Sequence, residues 1–333
     1  MSSTSQSKGL RFLAAFVKLA IIVMVVWQVY VHRQFLVDQV ALLRYTPTEV
    51  VSGLAKRSSM SSTGTRLFYV SQPAVEDAKT FNENCGRKEE AVAVLGCYDG
   101  RRIFIYNVTD ARLDGIREVT AAHEMLHAAY MRLEGSEKTR INALIEAEFA
   151  RLRTDKDLAE RMAFYDRTEP GERDNELHSV IGTEIADMSA ELEAYFGRYF
   201  TDRKVVVGLH QKYSGVFADL KARADVLSAQ LAQLEAEIKT ETATYNADVE
   251  TLNNDVAAFN VRANSGGFSS ESEFQRERAA LMARVAALDA LRDAVNGKIA
   301  QYNALRQELA GIASQAEALN NSIDSKLAPA PSL

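Results

Sequence analysis

The residues in this chain best suited to chemistry are His123-Glu124-Met125-Leu126-His127, an H-E-x-x-H motif. On an α-helix, positions i and i+4 lie one above the other, so His123 and His127 can offer two imidazole nitrogens to one metal ion. Glu124 projects beside them, where a carboxylate can hold and deprotonate a water on that metal. Two neutral nitrogen ligands suit Zn²⁺, and one Zn²⁺ per chain is the expected cofactor. Five histidines in 333 residues make chance alignment of two at this spacing uncommon, so the motif is informative, although its context must carry part of the weight.

The motif requires a helix, and the flanking residues supply one. Asp114 can cap its N-terminus, Gly135 sits where a glycine stop is expected, and no proline or glycine interrupts the interval from Ile116 to Glu134. Ile116, Val119, Met125, Leu126, Ala129, Tyr130 and Leu133 recur at helical spacing and predict one buried face.

A catalytic site that keeps one position open for water needs a third protein ligand. The three-histidine extension of the motif is missing, because Leu133 stands near where a further histidine would fall. A downstream carboxylate is therefore expected, and the segment Asn175-Glu176-Leu177-His178-Ser179 is the best candidate. It resembles the third-ligand helix of the gluzincin metallopeptidases, in which a glutamate is followed three positions later by a small residue. Glu176 with Ser179 fits that pattern. Glu184, which has Asp187 at the same offset but lies mid-face among Leu177, Ile181 and Met188, stays open as the alternative ligand or a second-shell group. Val180 stands where many gluzincins carry an aspartate that supports a histidine, so that support must come from elsewhere. His178 either stabilises the transition state or merely sits near the cleft. The resemblance implies an α+β, zincin-like metallopeptidase domain over residues 66–200, a zinc-activated water with Glu124 as general base, and a peptide or protein substrate.

The first residues differ in character from the rest. Residues 1–11 read as a cytoplasmic N-terminus, and Phe12 to Val31 as an apolar run broken by Lys18 and Gln28, about the length of a bilayer-crossing helix. No small-residue cleavage site follows it, so residues 12–31 are expected to be an uncleaved transmembrane signal anchor in contact with the lipid bilayer. Lys8, Arg11 and Lys18 on the N-terminal side favour a single-pass protein of the cell membrane with its catalytic domain extracytoplasmic. Cys85 and Cys97, the only cysteines, are then expected to form a disulfide. A net charge of −6 with both signs mixed gives no support for nucleic-acid binding.

Residues 32–65 read as a juxtamembrane helix followed by a linker, the linker being the serine- and glycine-rich stretch Ser58 to Thr65. Strands are expected at Arg66 to Val70, Ala91 to Tyr98 and Arg101 to Val108, with a helix around Val75 to Asn82. Asp99-Gly100 marks a hairpin turn between the last two strands, and Ile103 to Tyr106 is a candidate edge that could seat a substrate backbone. Over residues 201–327, apolar stripes through Leu220, Leu227, Leu234 and Leu252, then Leu281, Val285, Val295, Ile299 and Leu319, flank Asn264-Ser265-Gly266-Gly267. They predict a long antiparallel coiled-coil hairpin, available for a protein partner or self-association. Residues 328–333 read as a disordered tail. The competing function is a non-catalytic envelope scaffold acting through that hairpin.

Overall fold

A computed structural model describes residues 4–85, 94–168 and 171–326. The chain forms two compact units, residues 1–214 with 321–333, and residues 215–320. The first unit is built around helix α6 (Ile116–Tyr130), whose residues are buried on nearly every side. Its own side chains explain the burial: alanine, methionine and leucine dominate from Ala121 to Ala129, so neighbours approach from all round.

The sheet is small. Strand β1 (Ala74–Glu76) pairs in parallel with β3 (Ile103–Tyr106), and β2 (Gly96–Tyr98) pairs with β3 in antiparallel register, Cys97 opposite Phe104. Ile103 and Ile105 point from β3 into the core under α6, while Phe104 points the other way onto Phe81 and Cys85. Helices make up the rest of this unit: α1 (Thr4–Val31), α2 (Arg33–Arg44), α3 (Glu49–Arg57), α4 (Ser62–Val70), α5 (Ala78–Asn84), α7 (Gly135–Arg151), α8 (Lys156–Thr168), α9 (Arg173–Glu184), α10 (Ala190–Phe196) and the start of α11 (Arg203–Asn264).

Several expectations need correction. The domain is mostly helical, with three short strands among the described residues, and not an α+β zincin-like domain. Arg66–Val70 is helical because Ser61 caps α4, its hydroxyl accepting from the Gly64 amide at 3.1 Å. Ser58 to Thr65 is no linker: Ser58 is fully buried, Met60 bridges Phe200, and the Ser61 amide donates to the Tyr199 carbonyl at 2.8 Å. Its serines serve as caps and turn residues. Strand β3 lies in the centre of the sheet, so Ile103 to Tyr106 is not an edge; among the described residues the edge beside α6 is β2. Asp114 does not cap α6. It pairs with Arg57 at 2.7 Å and Lys212 at 2.8 Å, and Gly115, at φ 105°, takes the cap position. Gly135 opens α7 instead of closing α6.

Among the described residues no single helix is long and apolar enough to cross a membrane. Phe16–Val31 passes that test only together with Arg33–Arg44, across a 65° bend. The expected single transmembrane helix over residues 12–31 is therefore withdrawn; residues 1–3 and the side chains of Phe12, Leu13 and Ala15 lie outside the described residues, as does the tail 328–333. So do Ala91, Val92 and Ala93 of the expected strand.

In the second unit, the arm of α11 from Gly215 runs to the turn at Ser265–Gly267, and α12 (Glu271–Ile323) returns beside it. Lys298 bonds Glu237 and Glu241, and Arg223 faces Glu308, which sets the arms antiparallel. Leu227, Leu234, Leu252, Val295 and Ile312 are buried between the arms, whereas Val285 and Ile299 are each 40 % exposed.

The feature of the fold that matters most to the site is the close packing of α6 on α9. Gly182 permits it: a Cβ there would lie 2.4 Å from Leu126 Cδ1 and 2.7 Å from Phe196 Cε1, both fully buried. Gly182→Ala is accordingly expected to destabilise the protein by about 1–3 kcal/mol through overpacking. Gly208→Ala, where a Cβ meets nothing within 4 Å, should be neutral or mildly stabilising. Urea midpoints of the two variants check this.

Candidate metal centre

Helix α6 presents His123 and His127 on the side that faces α9, with their rings 4.7 Å apart and nearly perpendicular. Glu176, in the first turn of α9, reaches up between them. Its Oε2 is 3.5 Å from His123 Nε2, and its Oε1 is 3.5 Å from His127 Nε2. The three candidate ligand atoms all lie within 4.8 Å of one another. A tetrahedral ion with arms of about 2.0–2.1 Å separates its ligands by about 3.3 Å, so the triad is already near that spacing. Glu176 Oε2 is buried without a hydrogen-bond partner, an orphaned acceptor of the kind a cation satisfies.

The electrostatics agree with the geometry. Burial opposes charge on His123, but Glu176 beside it, with Glu124 and Glu184 farther off, outweighs burial and raises its pKa. Burial would likewise raise Glu176, yet His127, His123 and the hydroxyl of Tyr165 together hold it below the ordinary carboxylate range. Tyr165, on α8, is itself pushed upward by burial and by the neighbouring carboxylates.

The support that Val180 cannot give His127 comes from Asn175. Its Oδ1 accepts from His127 Nδ1 at 3.0 Å, and its Nδ2 donates to Glu172 Oε2 at 2.9 Å, which fixes the amide the right way round. Ser179 Oγ adds a contact to the same ring nitrogen at 3.3 Å. Nδ1 is thus engaged by α9, and Nε2 is the ring nitrogen turned toward Glu176. Sequence reasoning passed over Asn175 as a functional residue, although it adjoins Glu176; Glu172 and Tyr165 carried no signal at all.

The other candidates are placed elsewhere. Glu184 is two turns farther along α9, where its carboxylate meets Arg161 at 2.7 Å and His210 Nε2 at 3.3 Å. It is neutralised there and does not reach the histidine pair. His178 is fully buried on the opposite side of α9, its Nε2 2.8 Å from the Tyr195 hydroxyl and its ring packed on Tyr130 and Phe196. It faces no cleft. Cys85 and Cys97 are joined in a disulfide that ties the end of α5 to β2.

Glu124 is 5 % exposed and lies against β2. A Cβ on Gly96 would fall 2.8 Å from Glu124 Oε1 and 2.6 Å from Thr120 Cγ2, so only glycine lets the strand lie this close to the carboxylate. The site thus holds two nitrogen donors, one carboxylate donor and a second, buried carboxylate adjacent in sequence to the first histidine. Against this arrangement, comparison with protein-family models, with curated proteins and with solved structures finds no match for the chain.

Two outcomes are expected. Asn175→Ala should weaken metal binding roughly 10–100-fold, because His127 loses the partner that orients it. Glu184→Gln should leave metal affinity unchanged; competition against a fluorescent chelator reads both. The second concerns acid. Burial first, then the nearby His127 and His123, lowers the His178 pKa to about 3. The unfolded chain protonates this histidine below its ordinary value of about 6.5, whereas the folded one does not until far lower pH. Its contribution is therefore intact above about pH 6.5 and declines by about 1.4 kcal/mol per pH unit as the pH falls toward 3. His178→Phe should flatten the loss of stability of the metal-free protein across that window. An unchanged slope in urea titrations would rule out His178 as its source.

Proposed function

We propose that this chain is a metal-dependent hydrolase of peptide bonds, with His123, His127 and Glu176 holding Zn²⁺ and Glu124 acting as general base. The observation that carries the reading is the convergence of three ligand atoms within 4.8 Å beside a buried carboxylate that is not one of them. Two imidazoles and one carboxylate form a donor set that suits zinc and leaves a fourth position for water or substrate. A bound Zn²⁺ would polarise the scissile carbonyl and acidify water at neutral pH.

The chain's own residues do the rest. Asn175 and Ser179 hold the His127 ring in one tautomer and orientation. Glu124 takes a proton from the attacking water and returns it to the amide nitrogen as that nitrogen leaves as an amine. Its burial holds the carboxylate in place and out of bulk water. The edge strand β2 passes directly over Glu124, so a substrate backbone added along it would lie beside the base. The disulfide between Cys85 and Cys97 supports an oxidising compartment outside the cytoplasm.

The decisive comparison is Glu124→Gln in the full chain, assayed on a quenched-fluorescent peptide library with metal content measured in parallel. Zinc should stay near one per chain while hydrolysis drops about 10²–10⁴-fold, the usual worth of a general base. Gly96→Ala, which displaces the carboxylate without removing it, should retain metal and lose up to about 100-fold. Failure of the unmodified chain to bind zinc would end the hydrolase reading. Zinc binding without cleavage of any peptide would favour a structural metal in a scaffold.

A further inference from the structure

The first unit carries one surface that nothing else in the described chain covers. From Phe16 to Val31 helix α1 is apolar on every face, and its side chains stand free: Ile22 is 59 %, Val26 62 % and Trp27 62 % exposed. A helix meant for a protein partner, a second copy included, keeps one apolar stripe and one polar face. This one has no polar face, since only Lys18 and Gln28 break the run. An apolar surround on all sides is what lipid hydrocarbon provides. Trp27 and Tyr30 near its end, with the Arg33 guanidinium 4.9 Å above the Tyr30 ring, are the residue types that settle at a membrane–water interface.

Helix α2 turns away at His32 by 65° and is built differently. Its inner face is fastened to the core. Asp38, 8 % exposed, accepts from Arg132 Nη2 and from Gln34 Nε2, each at 2.9 Å. Its outer face repeats Leu36, Val37, Val40 and Leu43 at helical spacing, all exposed, with exposed Arg33 and Arg44 at the two ends. An apolar stripe with basic ends is suited to lie along an anionic lipid surface. Arg132 also donates to the Ala128 carbonyl at 2.8 Å, so the residue that grips α2 caps the helix bearing His123 and His127.

We propose that α1 and α2 form a lipid-docking elbow: Phe16–Val31 is immersed in hydrocarbon, the outer stripe of α2 lies along the bilayer surface, and the Asp38–Arg132 pair holds the docked helix on the end of α6. At 1.5 Å per residue the stretch from Phe16 to Val31 reaches about 24 Å into the hydrocarbon before the chain bends at His32 and α2 turns along the surface. The inference does not depend on the hydrolase reading.

The test uses the full chain reconstituted in phosphatidylcholine–phosphatidylglycerol vesicles whose acyl chains carry a spin-label quencher, either near the headgroup or deep. A fluorescent thiol dye is placed in turn at Ile22→Cys, Val40→Cys, Leu43→Cys and Glu160→Cys; the native cysteines are held in their disulfide and do not react. Emission at position 22 should be lost most to the deep label, at 40 and 43 to the shallow one, and at 160 to neither. Unquenched dyes at 40 and 43 would overturn the docking of α2. A dye at 22 that escapes both labels, with Ile22→Cys crosslinking to its counterpart in a second chain, would assign α1 to self-association and overturn the proposal.

Discussion

Helix α9 can lie against α6 only because position 182 carries no side chain, and the candidate metal centre exists only where those two helices meet. The close approach sets Leu126 over Gly182 and brings Glu176 between His123 and His127. It also sets Asn175 and Ser179 beneath the His127 ring. Neither helix holds a site alone. Because α6 is buried on almost every face, a shift in this packing has no solvent-facing side on which to relax, and the ligand spacing inherits the rigidity of the core.

One helix, α9, shows how completely environment decides what an ionisable side chain becomes. Glu176 stands between two imidazoles. Glu184, two turns away, is matched by Arg161 and His210. His178 lies between them in sequence but faces the Tyr130, Tyr195 and Phe196 rings, where burial keeps it neutral. The same residue types give a ligand candidate, a structural ion pair and a core histidine, and the helical phase separates the three.

That phase explains which parts were legible in the sequence. The spacing of His123 and His127, and the long apolar stripes of the hairpin arms, are local and periodic, so they can be read without knowing the fold. The preference for Glu176 came from Ser179 and a family pattern; the mid-face position of Glu184 on the helical wheel misled, since over the whole residue Glu176 is the more buried of the two and Glu184 is taken up by Arg161. Arg66–Val70 looks like a strand by composition, yet Ser61 caps it as a helix, and a capping hydroxyl is a weak signal inside a serine-rich stretch. The small sheet misled more seriously. A hairpin signal at Asp99-Gly100 is correct about the turn and silent about β1, which pairs in parallel from the other side and makes β3 central. Pairings between distant segments leave no periodic trace. Asn175 escaped for a similar reason, since its role is defined by a ring contributed from another helix.

Gly96 has an implication for how the site can change over time. The floor beneath Glu124 on the sheet side is main chain, with no room for a side chain between strand and carboxylate. Substitution therefore cannot place a new charge or hydroxyl there to retune the acidity of Glu124, because every possible replacement is first a steric insult. A side chain added at position 96 would therefore shift the Glu124 carboxylate before it could change its surroundings, so variation at this corner acts first on geometry.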